Sequence, residues 1–145
     1  MKIVLQRVMS GAVKVNGEII GQIARGYVLL LGISSTDTHE NIDRTIEKIK
    51  KLRLFPDAEG KTNLNIGDIN GELLVVSQFT LYADCRKGTR PSFTEAAPPD
   101  IARALYEYFI KKATPHFKKV ACGIFGAYMQ VELINDGPFT VVLES

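Results

Sequence analysis

The stretch ELLVVSQFTLYA, residues 72–83, predicts the strongest β-strand of this 145-residue chain and therefore a fold built on a sheet. Its first half is apolar on both faces of the predicted strand. Ser77, Gln78 and Thr80 then interrupt the apolar pattern. A buried hydroxyl or amide without a hydrogen-bond partner costs about 1–3 kcal/mol. These three side chains therefore indicate either a local hydrogen-bonded structure, such as a bulge, or a ligand site.

Further strands are predicted on both sides of this stretch. YVLLLGI (27–33) is an uninterrupted apolar run, which is typical of a strand that is buried on both faces. Asn16-Gly17 joins two earlier apolar-rich runs and predicts a type I′ hairpin turn. Near the end of the chain, GAYMQVELI (126–134) and FTVVLE (139–144) predict two strands separated by NDGP.

Two segments between these strands change to a helical period. The first begins at Asp37 or Thr38 and ends near Leu52, and Glu40 stands where a capping box that starts at Asp37 would place it. Its apolar face is predicted to comprise Ile42, Ile46 and Ile49. The second follows AAPPD, whose prolines suit a first helical turn. One face of this helix is predicted to comprise Ile101, Leu105, Tyr108 or Phe109, and Lys112.

The sequence predicts two helices and about seven strands in the order β, β, β, α, β, α, β, β. These elements indicate a single mixed α/β domain over residues 1–145. The helices are expected to pack on one side of a curved sheet. The strands outnumber what two helices can cover, so a second layer of sheet or a partner subunit is expected to cover the rest. This argument favours a dimer.

Composition limits the class of protein. With 46% apolar and 23% charged residues the chain is of ordinary globular type. No apolar run approaches the roughly 18 residues of a membrane span, and the first residues lack the features of a signal peptide, so a cytoplasmic protein is expected. The net charge of +2 does not by itself indicate nucleic-acid binding. The basic segments 85–90 and 109–119 are either solvated surface or phosphate-contacting patches.

Familiar catalytic signatures are absent from the sequence. It contains no Walker loop, GxGxxG, GxSxG, HExxH or CxxC pattern. The two histidines, His39 and His116, give a catalytic triad few candidates for its base, and they are expected to have surface roles. Their scarcity also argues against a zinc site. Cys85 and Cys122 are expected to be free thiols.

Two motifs, SQFTL (77–81) and NDGPFT (135–140), together resemble the paired signature of the D-aminoacyl-tRNA deacylases. The likeness extends along the whole chain through QRV, LRLFPD, KGTRPSF and GIFGAYMQVEL. It implies a deacylase-type three-layer fold and a cytoplasmic homodimer without metal or organic cofactor. It also implies hydrolysis of the ester that joins a D-amino acid, or mischarged glycine, to the terminal adenosine of tRNA.

The resemblance also implies the site. It assigns Gln78, Phe79 and Thr80 to catalysis, and Ser77, Arg7, Phe125, Met129, Gly137 and Pro138 to substrate binding. In the family the Gly-Pro bond is cis and enters the active site of the partner subunit, and the arginine that matches Arg7 orients this loop. From the residues alone, such an arginine is more often a strand-edge or salt-bridge residue, and a methionine such as Met129 is more often a core residue.

A Gly-Pro turn of this kind suggests how one enantiomer is rejected. Two main-chain carbonyls aimed into the site would accept hydrogen bonds from the substrate's α-ammonium group and would crowd the side chain of an L-residue. A D-residue would direct its side chain elsewhere, and glycine has none to exclude. Rejection by a clash discriminates more strongly than the fit of an apolar pocket.

The chemistry is predicted to rely on the substrate. A threonine hydroxyl is a weak nucleophile without an adjacent base, so residues 77–80 are expected to position the adenosine and the ester carbonyl. Backbone N–H groups would then form an oxyanion site and the 2′-hydroxyl of the tRNA would assist. Covalent catalysis by Thr80 is the competing mechanism. Two other functions remain open: a tRNA-binding module without catalysis, and a hydrolase of small D-amino-acid esters.

Overall fold

Strand β1 (Lys2–Val15) organises the sheet in the computed structural model, which describes residues 1–145. The other strands are β2 (Glu18–Ile23), β3 (Gly26–Gly32), β4 (Phe55–Pro56), β5 (Thr62–Leu64), β6 (Glu72–Ser77), β7 (Val120–Cys122) and β8 (Gln130–Glu144). The helices are α1 (His39–Lys51) and α2 (Pro99–Ala113), with single 3-10 turns at Phe79–Tyr82 and Thr114–His116. The mixed α/β prediction is confirmed.

The main sheet curves until it is nearly a barrel. Its strand order is β2-β1-β3-β6-β7, and β8 pairs along β1 as well. β3, β6 and β7 are parallel, whereas β1 is antiparallel to β2, β3 and β8. β2 approaches β7 so closely that a Cβ placed on Gly21 would lie 2.8 Å from the carbonyl oxygen of Cys122. The short pair β4–β5 lies outside this sheet.

Each face of the sheet has its own core. Apolar side chains of β1, β3 and β6 pack with both helices on the outer face, in a cluster of 20 buried residues. A smaller cluster fills the concave face: it comprises Val8, Val13, Ile23, Val28, Leu74 and Val76. Successive residues of β6 alternate between the two clusters, as the sequence predicted, because successive side chains of a strand point to opposite faces.

Helix α1 has the predicted core face but a different cap. Its buried residues are Ile42, Thr45, Ile46 and Ile49. The capping box joins Thr38 to Asn41, so the box predicted from Asp37 to Glu40 is wrong. The Asp37 carboxylate has other partners: it accepts the backbone N–H of Ser34 at 2.7 Å and pairs with the amino group of Met1.

Helix α2 begins at its prolines as predicted, with Pro98 as N-cap and Pro99 as the first helical residue. The face predicted from spacing coincides only in part with the buried one. The buried residues are Ala102, Leu105, Tyr106, Phe109 and Ala113. Ile101 is 48% exposed and Lys112 is also exposed, because the buried stripe is centred on Leu105 and Phe109 and passes through Ala102 instead. No helix of the structure is both long and apolar enough to cross a membrane.

Candidate active site

Strand β6 ends at Ser77, where the sequence predicted that it would continue to residue 83. The N–H of Gln78 donates to the carbonyl of Leu31 at 2.8 Å, and the chain then turns into the 3-10 helix. Gly32, at the end of β3, permits this turn: a Cβ there would lie 3.0 Å from the carbonyl oxygen of Gln78. The polar residues of the motif therefore stand at the carboxyl end of a parallel strand.

The turn presents its side chains to solvent. Phe79 is 57% exposed and Thr80 is also exposed, while Ser77 and Gln78 are half-buried. The cost of burial that the continuous strand implied therefore does not apply to Thr80. The side-chain amide of Gln78 donates a hydrogen bond to the Thr80 hydroxyl. The amide nitrogen is a hydrogen-bond donor and cannot act as a base that removes the hydroxyl proton. The contact therefore orients Thr80 without activating it.

The NDGP segment does not separate two strands, because β8 runs through it. β8 pairs with β1 through Gln6 and Thr140 on one side of the segment and through Val8 and Asn135 on the other. Residues 136–139 have no partners in this ladder and form a bulge opposite Arg7. The Gly137–Pro138 peptide bond is cis, and both residues are exposed. The strand predicted from residue 126 begins only at Gln130.

Arg7 holds the base of this bulge. Its side chain is 11% exposed, and its Nε donates to the carbonyl oxygen of Asp136 at 3.0 Å. The guanidinium also lies 3.3 Å from the Asp136 carboxylate and 4.8 Å from the centre of the Phe139 ring. A second nitrogen donates to the carbonyl of Leu54 at 2.5 Å. Arg7 therefore ties the bulge to the segment that follows α1.

The bulge is also closed from within. The side-chain oxygen of Asn135 accepts the N–H of Phe139 at 2.9 Å, so the two ends of the bulge are joined. Gly137 has φ +133°, in the region that favours glycine, and a Cβ there would lie 3.1 Å from a guanidinium nitrogen of Arg7. Any other residue at position 137 would strain the backbone and displace Arg7.

Within one chain the two motifs lie far apart. Ser77 pairs with Leu31, which pairs with Ile3, and Ile3 precedes Arg7 by four positions along β1. Strands rise about 3.4 Å per residue and lie about 4.8 Å apart, so the bulge is on the order of 20 Å from Ser77 along the sheet. The strand pairings thus separate the two motifs along the sheet of a single chain.

Phe125 and Met129 lie on different faces of the sheet. Phe125 is half-buried on the helix side, 5.8 Å from the ring of Tyr106 and 5.0 Å from the guanidinium of Arg103. Met129 packs against the smaller cluster, and a Cβ on Gly123 would overlap its sulfur. Gly123 is thus the residue that admits the methionine side chain.

Burial and charge shift several pKa values around these elements. Burial raises the pKa of Tyr106, whose hydroxyl donates to the carbonyl of Val75 at 2.8 Å. Burial also raises the pKa of Tyr27, which Arg7 opposes in part, and that of the Cys122 thiol. Both cysteines are free thiols, as predicted. No group of three or more His, Cys, Asp or Glu side chains is arranged to hold a metal ion.

Comparison with known proteins identifies the family. The sequence model of the D-Tyr-tRNA(Tyr) deacylase family matches residues 4–144. The chain belongs to this family. Proteins named D-aminoacyl-tRNA deacylase from Thermosipho africanus and Trichodesmium erythraeum are each 54% identical to it, over 100% and 99% of the chain and 97% and 96% of their own lengths. One from Clostridioides difficile is 52% identical over 100% of the chain and 97% of that protein.

Two solved structures share the fold. One, titled "c-Myc DNA Unwinding Element Binding Protein", has a TM-score of 0.94 at 42% identity and covers 100% of this chain and 99% of its own. The other, titled as a probable eukaryotic D-amino acid tRNA deacylase, has a TM-score of 0.87 at 17% identity, covering 98% of this chain and 97% of its own. The predicted deacylase-type fold is thereby confirmed.

Sequence reasoning missed several residues in and beside these two motifs. Asn135 and Phe139 lie within NDGPFT but were given no role of their own, although an asparagine before a turn commonly bonds a backbone N–H within it. Phe93 contacts Phe79 with ring centres 5.0 Å apart, and no local pattern indicated that contact. Leu54 contributes only a carbonyl oxygen to Arg7, so its side chain gives no signal in the sequence.

Proposed function

We propose that this protein hydrolyses the ester bond of D-aminoacyl-tRNA, and of tRNA mischarged with glycine, and rejects L-aminoacyl-tRNA. The observation that carries the proposal is the match of both motifs and the whole chain to the deacylase family. A solvent-facing turn at residues 77–80 is where a large substrate can present its 3′ end. We place the reaction in the cytoplasm, where aminoacyl-tRNA is used.

The geometry of residues 77–80 supports a positioning role rather than covalent catalysis. Thr80 has no general base as hydrogen-bond partner, and its contact is the Gln78 amide. The N–H groups of Phe79 and Thr80 open the 3-10 helix and have no acceptor within it. They would stabilise the developing oxyanion of the ester, while the neighbouring 2′-hydroxyl of the ribose assists the attack of water.

Replacing Thr80 tests this assignment. We expect Thr80→Ala to lower kcat by roughly 10- to 100-fold, because one positioning contact is lost. No acyl-enzyme should be trapped from the wild-type protein with D-Tyr-tRNA and acid quench. Loss of all turnover in Thr80→Ala, together with a wild-type acyl-threonine detected by mass spectrometry, would establish the covalent mechanism instead.

The separation of the motifs supports a filter that acts between subunits. Measured along the sheet, the bulge is on the order of 20 Å from the residues that would hold the ester of the same chain. In a homodimer, Gly137 and Pro138 of one subunit would enter the site of the other and place their carbonyls against the α-ammonium group. Arg7 would fix the position of that filter through Asp136.

One assay decides the proposal. Purified protein is incubated with D-Tyr-tRNA, L-Tyr-tRNA and Gly-tRNA, and release of each amino acid is followed. We expect release from the first and third, and none above background from L-Tyr-tRNA. Equal hydrolysis of a free D-tyrosine ethyl ester would point to a hydrolase of small esters.

A second candidate function follows from one comparison. The structure with TM-score 0.94 is titled as a protein that binds a DNA unwinding element. For this chain the corresponding function is nucleic-acid binding without catalysis. Tight binding of charged tRNA with no release of any amino acid would favour that function over the first.

A further inference from the structure

We propose that the loop from Asp84 to Phe93 binds the single-stranded nucleotides that precede the terminal adenosine, with Phe93 as a stacking surface and Lys87 and Arg90 as phosphate contacts. The inference rests on the proposed function, because it concerns the same RNA substrate. It adds residues to the substrate site that neither motif contains.

Phe93 brings this loop against the candidate active site. Its ring meets that of Phe79 edge to face, with centres 5.0 Å apart and planes 62° apart. Phe79 is 57% exposed and Phe93 is 36% exposed, although both rings are large and apolar. Phe79 is the neighbour of Thr80 in one turn, so Phe93 extends an aromatic surface outward from the reacting ester. Aromatic side chains of this kind stack on bases regardless of sequence.

The loop is closed and has a fixed base. Backbone hydrogen bonds join Asp84 and Ser92 in both directions, at 2.7 and 3.0 Å. Gly88 adopts φ +70° at its tip, with nothing within 4 Å of a Cβ placed there. The loop therefore stands out from the body of the protein, and Phe93 directly follows its closing pair.

The charge of the loop is positive and partly free. Arg86 donates two side-chain hydrogen bonds to Asp84, at 2.7 and 2.8 Å, and holds the pKa of that carboxyl well below its usual range. The hydrogen bond to Asp84, and to a smaller extent the negative charge of Glu95, raise the pKa of the Arg86 guanidinium. Lys87 and Arg90 make no ion pair and no side-chain hydrogen bond with the protein, and both are exposed. Their charges remain available for phosphates.

An open cleft lies beside the loop and is lined by Asp84, Arg86, Lys87 and Ser92, so Lys87 borders it while Phe93 and Arg90 lie outside its lining. Positive side chains along a groove together with exposed aromatic rings are the combination by which proteins hold single strands. A double helix would not expose its bases to Phe93, so the geometry favours the unpaired 3′ end.

Substrates of increasing length test the proposal. The D-tyrosyl esters of tRNA, of the trinucleotide CCA and of adenosine are compared for each variant. We expect Lys87→Gln with Arg90→Gln to raise KM roughly tenfold for the two longer substrates, with a much smaller effect on the adenosine ester. Phe93→Leu should weaken binding of the trinucleotide by about 5- to 150-fold, the usual contribution of one stacked base, and Phe93→Tyr should restore it.

A matched charge control is Lys51→Gln with Lys61→Gln. These lysines are 79% and 76% exposed and lie at the end of α1 and on the β4–β5 hairpin. If this control raises KM as much as the loop variant does, the effect belongs to net charge and the proposal is wrong. If the loop variants weakened binding of the adenosine ester and of the trinucleotide ester equally, the proposal would also be wrong. The same holds if their binding of the trinucleotide ester were unchanged.

Binding of uncharged RNA separates this inference from the proposed function. A labelled RNA with an unpaired CCA end is titrated with each protein, and the same RNA with that end paired serves as comparison. Weaker binding of the unpaired end by the loop variants supports the loop even if no ester is hydrolysed. If the wild-type protein hydrolyses the ester but all variants bind the unpaired RNA equally well, the proposed function stands and the role proposed for the loop is wrong.

Discussion

Arg7 shows how one buried side chain links two parts of this molecule. It contacts the carbonyl of Asp136 in the bulge and that of Leu54 after α1, and the Phe139 ring lies over its guanidinium. The planar guanidinium group of arginine has several donors and can satisfy both acceptors at once. The ammonium group of a lysine is a point charge without this fixed arrangement of donors. The residue type is therefore specified by the geometry.

We expect Arg7→Lys to lower the ratio of D- to L-Tyr-tRNA hydrolysis by roughly tenfold or more, because the bulge loses its orientation. The free energy of unfolding should also fall, by about 1–3 kcal/mol, since a buried acceptor loses its donor. Ile46→Val, which costs about 0.5–1.5 kcal/mol in the core, is the stability control. If both variants keep the wild-type ratio, Arg7 contributes to folding alone.

Tyr106 makes stability depend on pH at the alkaline end. Burial raises its pKa above the value of 10.0 that it has when exposed, so the unfolded chain loses this proton first. The stabilisation is complete below pH 10 and is lost as pH rises from there towards the higher pKa of the folded state. We expect urea unfolding to show a steeper loss of stability above pH 10 in the wild type than in Tyr106→Phe. Tyr128→Phe, with a ring that is 90% exposed, should behave as the wild type.

At the scale of elements, the start of α1 depends on a reciprocal contact. The Thr38 hydroxyl accepts the N–H of Asn41 at 3.3 Å, and the Asn41 side chain accepts the N–H of Thr38 at 3.0 Å. We expect Thr38→Ala to cost about 1 kcal/mol and to lower Tm by about 2–4 °C. Ser35→Ala, at an exposed position outside the box, is the control. A change in Tm no larger than that of Ser35→Ala would show that the cap contributes nothing.

Local patterns predicted the elements whose causes are local. The Asn16-Gly17 turn has positive φ at both residues, 52° and 82°, because its hairpin requires them. The isoleucines of α1 are buried because their spacing is that of one helix face. The end of β6 at Ser77 was missed, since it depends on Gly32 and Leu31 of another strand. The continuity of β8 through a Gly-Pro pair was missed for the same reason, because β1 holds both its ends.

In the candidate site, too, the sequence predicted the members but not the contacts that assemble them. The members of both motifs follow from the resemblance of the sequence to a family, and their roles in the reaction remain predictions. The assembly of each motif could not be read from the sequence, because Arg7 reaches Asp136 across 129 positions of chain. The aromatic pair of Phe79 and Phe93 likewise depends on the closing of the intervening loop.

At the scale of the whole molecule, β8 is an open edge. It pairs with β1 only, and Ile134 and Val142 on it are 62% and 64% exposed. An exposed, apolar edge strand is a ready surface for a second copy. We expect the wild type to be a dimer by light scattering and Ile134→Lys to be a monomer with little deacylase activity. Ile19→Lys on β2, which replaces a residue 53% exposed, should keep the wild-type mass.

Mixed dimers test whether the filter acts between subunits. One subunit carries Gln78→Ala with Thr80→Ala and the other carries Pro138→Ala. If each site combines residues 77–80 of one chain with the bulge of the other, random mixing restores roughly a quarter of the sites with wild-type selectivity. A site built within one chain would recover nothing on mixing, and that result would remove the proposed arrangement.

Because Arg7 contacts both Asp136 in the bulge and Leu54 after α1, the position of the bulge depends on the segment that contains Leu54. Leu54 lies in the segment that joins α1 to β4, and connecting segments can open before a domain melts as a whole. If warming opened this segment, Arg7 would lose the Leu54 carbonyl as an acceptor and keep its contacts to Asp136. If the bulge is the filter proposed above, selectivity against the wrong enantiomer should then decline at a lower temperature than catalysis itself.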